Sequence, residues 1–172
     1  MHLELASLKH ERTFLAAVRA SRALHRPWTS PPSTPSKFRA YVKAKSNDRN
    51  VAYFVFSSSN ELVGVVNISE IVHGLFCSAY LGYYAFAPHH RRGVMTAALS
   101  KVVTRAFRAH GLHRVEANIQ PGNVASIRLV QRLGFRKEGL SLRYLKIGGA
   151  WKDHERWAVT REEWKGARVA SG

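Results

Sequence analysis

Cysteine is almost missing from this chain. Cys77 stands alone, so the sequence can form no internal disulfide and no cysteine-based zinc site. A reducing, cytoplasmic setting is the expectation that follows. No apolar run approaches the roughly 20 residues of a membrane span, and the first residues lack a signal peptide's apolar core, so no membrane contact is expected. The nine histidines are scattered without a zincin-like pair, which leaves no metal site to expect. Acid is scarce too. Eleven Asp+Glu stand against twenty-seven Lys+Arg, for a net charge of +16. Such an excess attracts polyanions: nucleic acid, a ribosome surface or a highly phosphorylated small molecule. A small molecule needs only a few of those charges; a generally basic proteome is the plain alternative for the rest. What is present suffices for a core. A length of 172 residues with 45% hydrophobic content excludes a largely disordered chain. It suits a single domain over 1–172, with 165–172 as a loose tail.

The chain is organised around Leu81 to Ala109. Leu81-Gly82-Tyr83-Tyr84-Ala85-Phe86 is aromatic and apolar, as a strand is, and Pro88 stops its ladder. Then come His89-His90-Arg91-Arg92-Gly93, and from Met95 the apolar residues fall at a helical period: Met95, Ala98, Leu99, Val102, Val103, Ala106 and Phe107. A strand therefore feeds a short basic loop that opens a helix. The start of a helix carries unpaired N–H groups and partial positive charge, so it accepts anions. Gly93, with Arg91 and Arg92 beside it, suits a pyrophosphate cradle over Arg91 to Thr96, including Val94 and Met95. A solvated strand–loop–helix connection fits the same residues. With one glycine, the loop is neither the nucleoside-triphosphate loop nor the dinucleotide fingerprint.

Before this stretch, Leu3 to Leu8 suits a strand and Thr13 to Leu24 a helix with Arg12, Arg19 and Arg22 outward. Prolines 27, 31, 32 and 35 predict a stiff loop carrying Trp28 as a lid or a pocket wall. Lys37 to Lys45 suits a helix, and Val51–Phe56, Leu62–Ile71 and Cys77–Phe86 an antiparallel meander. After Gly111, His113 to Gln120 is a strand whose Glu116 and Asn118 share a face. Asn123 sits where a helix cap belongs, and Val124 to Leu133 follows as a helix. Leu142–Ile147, Gly148-Gly149 and Trp151–Val159 close the chain as a hairpin.

The pattern Asn123-x-x-Ser126, then Leu133-Gly134-Phe135, downstream of a strand and a basic one-glycine loop, resembles the GNAT acetyltransferases, which use acetyl-CoA. His90-Arg91-Arg92-Gly93-Val94-Met95 stands where that family has Gln/Arg-x-x-Gly-x-Gly/Ala, with His90 and Met95 departing. Met95, Tyr80-Leu81-Gly82-Tyr83, Leu112-His113-Arg114 and Asp153-His154 are similar to the ribosomal-protein N-terminal acetyltransferases of the RimJ/RimL type. The resemblance implies a single α/β (α+β) GNAT domain: a mixed, mostly antiparallel seven-stranded sheet with two splayed central strands, flanked by about four helices. It implies that Tyr84, Ala85 and Phe86 bind the pantetheine arm as a strand would. Asn118 and Asn123 would hydrogen-bond the arm, and Ser126 would lie near the sulfur. The family's usual tyrosine acid is Val130 here, which leaves Ser126 as its substitute. Glu116 is the best-placed carboxylate for a base, acting through water, although a structural glutamate facing Arg114 or Lys137 fits as well. Trp28 and Tyr83 are candidates for the acceptor side.

An α-amine of pKa 7.7–8.0 is neutral in roughly one molecule in seven at pH 7, a lysine in about four per ten thousand. A site with one doubtful base therefore suits a protein N-terminus, such as that of a ribosomal protein. An aminoacyl-tRNA, a small-molecule amine, or a basic nucleic-acid-binding module without catalysis are the competing readings. The charge keeps an RNA contact open, and monomer and homodimer are both compatible with the sequence.

Overall fold

The computed structural model describes residues 1–90 and 92–166. Its centre is a sheet in which aromatic and β-branched runs alternate between two apolar layers. In chain order the strands are β1 (His2–Leu5), β2 (Ser46–Asn47), β3 (Asn50–Phe56), β4 (Leu62–Val72), β5 (Ser78–Ala85), β6 (Arg114–Ile119), β7 (Arg136–Ile147) and β8 (Ala150–Thr160). The helices are α1 (Glu11–Ala20), α2 (Arg22–His25), α3 (Pro35–Ala44), α4 (Val94–Arg108) and α5 (Val124–Arg132). The strand order is β1-β3-β4-β5-β6-β8-β7, with β2 paired to β3 off that path. Neighbours run antiparallel except β5 and β6, which are parallel.

Successive strand residues point to opposite faces, and β3 shows both layers. Tyr53 and Val55 join the core beneath α4, with Leu99, Val102, Val103 and Phe107. Phe54 and Phe56 join the core beneath α1 and α3, with Phe14, Leu15, Val18, Phe38 and Phe86. Phe14, Phe38, Phe54 and Phe86 are fully buried, each contributing roughly 1.5–3 kcal/mol of transfer free energy. α1 and α4 thus lie on opposite sides of the sheet. The outward arginines of α1 and α2 and the outward Lys101, Arg105 and Arg108 of α4 therefore do not make one continuous surface. Arg105 is itself placed over the Tyr53 ring, 5.2 Å from its centroid.

Four expectations need correcting. The helix expected over Thr13–Leu24 breaks at Ser21, whose buried hydroxyl accepts the Ala87 N–H at 2.9 Å and ties the break to the end of β5. That break makes five α-helices rather than four. The helix expected from Lys37 begins at Pro35, because Thr34 caps the Lys37 N–H and Pro35 has the φ that a first helical residue needs. The eighth strand is the two-residue β2, too short to leave a periodic signal. β7 starts six residues before the expected Leu142, since an edge strand exposed on both faces shows no apolar alternation. Charge pairs such as Lys137–Glu155 mark that early half of β7 instead. Most of the expected 165–172 tail lies outside the described residues.

Candidate active site

Parallel pairing between β5 and β6 runs from Ser78–Arg114 to Leu81–Ala117 and goes no further. Beyond it β5 continues to Ala85 on its partner β4, while β6 continues to Ile119 on β8. The two strands diverge, and a cleft of about 880 Å³ occupies the gap. Gly82 to Ala85, Ala117 to Gln120, the start of α4 and the first turn of α5 line it. Between diverging strands, backbone groups lack a ladder partner and are available to an extended ligand.

At one end of the cleft α4 begins. Its N-cap is Gly93, at φ +74°, with no side-chain cap and no acidic residue in the first turn. The first intrahelical bond at that end runs from the Ala97 N–H to the Gly93 carbonyl. The N–H groups of Val94, Met95 and Thr96 are thus left outside the helix ladder, with Arg92 beside them in the lining. By contrast, Thr34 caps α3 and Asn123 caps α5. Met95, where the family carries a small residue, fits because β4 yields the room: a Cβ on Gly64 would lie 2.4 Å from its Sδ.

Across the cleft, Asn123 Oδ1 accepts the Ser126 N–H at 3.2 Å, so the cap orients the serine backbone. Ser126 Oγ lies 2.6 Å from the Tyr83 hydroxyl. Burial pushes the Tyr83 phenol up, so it stays protonated and can donate to Ser126 Oγ, freeing the serine O–H for a second acceptor. Trp28 forms a wall by packing on the β6–α5 turn: a Cβ on Gly122 would come within 3.1 Å of its ring. The Gln120 amide also donates to the Trp28 carbonyl at 3.4 Å.

Of the residues expected in the site, Trp28, Tyr83, Tyr84, Ala85, Arg92, Gly93, Val94, Met95, Thr96, Asn118, Asn123 and Ser126 line this one cleft. Arg91 lies outside the described residues. Phe86 does not belong in the site: its ring is fully buried in the aromatic core. Its N–H already bonds Val63 O at 2.9 Å and its carbonyl accepts from His89 at 3.0 Å. Glu116 is not in the lining either. Arg114 Nε donates to its carboxylate at 2.8 Å, and the same guanidinium bonds Glu138. That is the structural role, two residues short of the point where Asn118 enters the cleft.

His25, His154, Arg128 and Arg132 also line the cleft and were missed. His25 stands immediately before Arg26-Pro27, where the sequence signals only a helix end. Arg128 and Arg132 occur at a polar helix period that marks any solvated face. No Asp or Glu lines the cleft among the described residues.

Four residues of the lining carry a side-chain polar atom that is buried without a partner: His25 Nδ1, Tyr84 OH, His90 Nδ1 and Asn118 Oδ1. Native structures leave few such atoms unpaired, and a shared cleft is where a ligand would pair them. Burial holds the His25 pKa below its ordinary 6.5, and holds His110 low as well. The unfolded rings take up protons near pH 6.5, whereas the folded ones resist protonation until a lower pH. The pair therefore costs no stability above that pH and costs progressively more as pH falls below it. The thermal midpoint should drop below about pH 6.5, and His25→Gln should flatten that drop. An unchanged pH slope in His25→Gln would place the sensitivity elsewhere.

These features fit acetyl-CoA: an uncapped helix start for a pyrophosphate, a strand edge for an amide-bearing arm, and lining residues that carry unpaired polar atoms. They also agree with what the chain is similar to. The model of the acetyltransferase (GNAT) domain matches residues 2–136. The ribosomal protein uS5-alanine N-acetyltransferase of Escherichia coli (strain K12) is 40% identical over 108 residues, 63% of this chain and 56% of that protein. The chain spans 66% and 56% of the length of the first curated relatives it matches. Mycobacterium smegmatis RimJ in complex with CoA-disulfide superposes with a TM-score of 0.87 at 28% identity, over 96% of this chain and 84% of that one. A Vibrio cholerae spermidine N-acetyltransferase in complex with CoA and spermine shares the fold alone, with a TM-score of 0.80 at 18% identity, over 94% of this chain and 96% of that one. The strand gap, the uncapped helix and the matched 2–136 span coincide, and the chain belongs to the GNAT acetyltransferase family.

Proposed function

We propose that this protein transfers an acetyl group from acetyl-CoA to the α-amino group of a protein N-terminus, a ribosomal protein being the first candidate. The observation that carries the proposal is the single cleft joining the uncapped start of α4 to the Tyr83–Ser126 pair through the gap between β5 and β6. Acetyl-CoA supplies the activated thioester. The Val94 to Thr96 amides and Arg92 hold its pyrophosphate; the β5 edge at Tyr84 and Ala85, with Asn118 and Asn123, holds the arm. Ser126, oriented by Asn123 and kept donating by Tyr83, protonates the departing sulfur. Trp28 and Tyr83 border the side from which the amine arrives.

Charge favours this acceptor over a polyamine. A polycation needs carboxylates, whereas the described lining carries Arg92, Arg128 and Arg132 and no acid. A second reading, the amine of an aminoacyl-tRNA, draws on a different observation: α2, α3, α4 and α5 contain no acidic residue at all. Labelled acetyl-CoA separates the cases. Label should enter a peptide with a free N-terminal alanine, and not the same peptide N-blocked with an internal lysine, nor spermidine. Label in aminoacyl-tRNA, with affinity falling steeply as salt rises, would replace the protein acceptor. No label in any amine would overturn the activity.

A further inference from the structure

We propose that His25 is the proton acceptor for the attacking amine, a role that rests on the acetyl-transfer reading above. His25 ends α2 and is only 4% exposed. Its Nε2 lies 2.9 Å from the Ala85 carbonyl oxygen. A carbonyl can only accept, so Nε2 carries the hydrogen and Nδ1 the lone pair. That Nδ1 is buried with no partner, and the residue lines the cleft. An ordinary core histidine satisfies both nitrogens; this one is anchored through one and leaves the other unpaired, on a residue that borders the cleft.

Its placement along β5 suits the chemistry. Tyr83 holds Ser126, and Ala85, two residues on, holds His25. Both anchors belong to the β5 segment that borders the gap, two residues apart in the chain. In the transfer the amine nitrogen bonds the acetyl carbon, and its proton passes to Nδ1. The C–S bond breaks with its electron pair going to sulfur, which takes a proton from Ser126. The proton on Nδ1 is released to solvent, and Ser126 regains one from solvent, directly or through the Tyr83 hydroxyl 2.6 Å away, which restores both groups.

Other candidates are weaker. No carboxylate lines the cleft among the described residues, and Glu116 is held by Arg114. His154 bonds the Lys152 carbonyl through Nδ1 and leaves no buried nitrogen unpaired. His90 Nδ1 is unpaired, but it sits in the loop before α4, where the anion is held. The titratable group facing His25 is Tyr84, edge-on with centroids 5.3 Å apart, and the Phe86 ring lies beside Tyr84 at 5.7 Å from His25. Burial keeps the imidazole neutral at pH 7, ready to accept.

The test is the pH dependence of kcat with acetyl-CoA and an N-terminal alanine peptide both saturating. The wild type should lose turnover on an acid limb that lies below the ordinary histidine pKa of 6.5, because burial holds His25 below that value. His25→Gln keeps a donor for the Ala85 carbonyl but has no basic lone pair. Its turnover should fall on the order of 100-fold and the acid limb should vanish, while calorimetry finds acetyl-CoA affinity within about threefold. A His25→Gln variant with wild-type turnover or an intact acid limb would overturn the role, as would loss of that limb in His90→Gln instead. A second measurement needs no variant. Imidazole ¹⁵N shifts of the wild type bound to CoA should show His25 as the Nε2–H tautomer, with Nδ1 moving when the peptide is added. A charged or Nδ1–H ring at pH 7 would also overturn it. A wild type that acetylates no amine removes the parent activity and this role together, whereas an active enzyme with the limb intact in His25→Gln removes this role alone.

Discussion

Replacing Gly93 by aspartate is expected to abolish acetyl-CoA binding while leaving the fold in place. An added Cβ meets nothing within 4 Å, so no clash is introduced; the only backbone strain is that of a side chain at φ +74°, about 1–2 kcal/mol and less for the Asp/Asn pair. Aspartate is also a preferred N-cap, so it would bond the free amides of the first turn of α4. Both effects turn against the ligand. The amides meant for the pyrophosphate become occupied, and a carboxylate stands where that anion should sit. One pair of like charges about 4 Å apart costs about 4 kcal/mol at a surface-like effective dielectric. Gly93 is exposed, and solvent screening lowers that figure. The remainder still corresponds to a loss of at least about 100-fold in affinity, at about 1.4 kcal/mol per tenfold. Gly93→Asn separates charge from shape, since it caps and strains alike without the carboxylate; it should weaken binding only several-fold. Calorimetry on the two variants decides the matter. Equal affinities would mean that charge at this position is irrelevant, and unchanged affinity in Gly93→Asp would remove the loop from the site.

Turnover should respond most to the Tyr83–Ser126 pair. Ser126→Ala deletes the hydroxyl that faces both Tyr83 and the cleft, and should lower kcat on the order of 100-fold, the lower end for a general acid. Acetyl-CoA affinity should change little, because the Asn123 cap bonds the Ser126 N–H, which alanine retains. Tyr83→Phe leaves Ser126 in place but removes its 2.6 Å partner, so it should lower kcat by a smaller factor. If the two act as one relay, the double variant should be no slower than Ser126→Ala alone. Multiplicative losses would mean independent roles. A Ser126→Ala enzyme with full turnover would make the serine structural, and one that fails to bind acetyl-CoA would make it a binding residue.

Much of this site was legible before any tertiary contact was known. The anion loop shows in sequence because its elements are consecutive: an apolar run, a basic loop with one glycine, and a helical period from Met95 onward. Local periodicity decides such elements, and a helix start is an anion site wherever it occurs. Asn123 was legible as a cap for the same reason, while Ser126 was singled out by the family resemblance rather than by local geometry.

Tertiary structure decided what depends on pairing between distant segments. Phe86 and Ala85 are adjacent in an apolar run, yet Phe86 is tied down through its N–H to the Val63 carbonyl while Ala85, the last residue of β5, turns its carbonyl to His25. Glu116 and Asn118 share a strand face, but Arg114 and Glu138 claim the first and the divergence of β5 and β6 exposes the second. Met95 breaks the family pattern and is tolerated because Gly64, thirty-one residues earlier, leaves the space for its sulfur. The basic outer faces of α1 and α4 lie on opposite sides of the sheet, an arrangement that charge counts alone do not show. His25 has no neighbour in sequence that marks it; only the fold brings it 60 residues along the chain to Ala85 and leaves its second nitrogen unpaired in the cleft. Sequence by itself determined most of the elements and the local anion site, because those follow from periodicity and capping. The sheet decided which polar atoms remain unpaired, because a hydrogen-bond vacancy is a property of every neighbour at once.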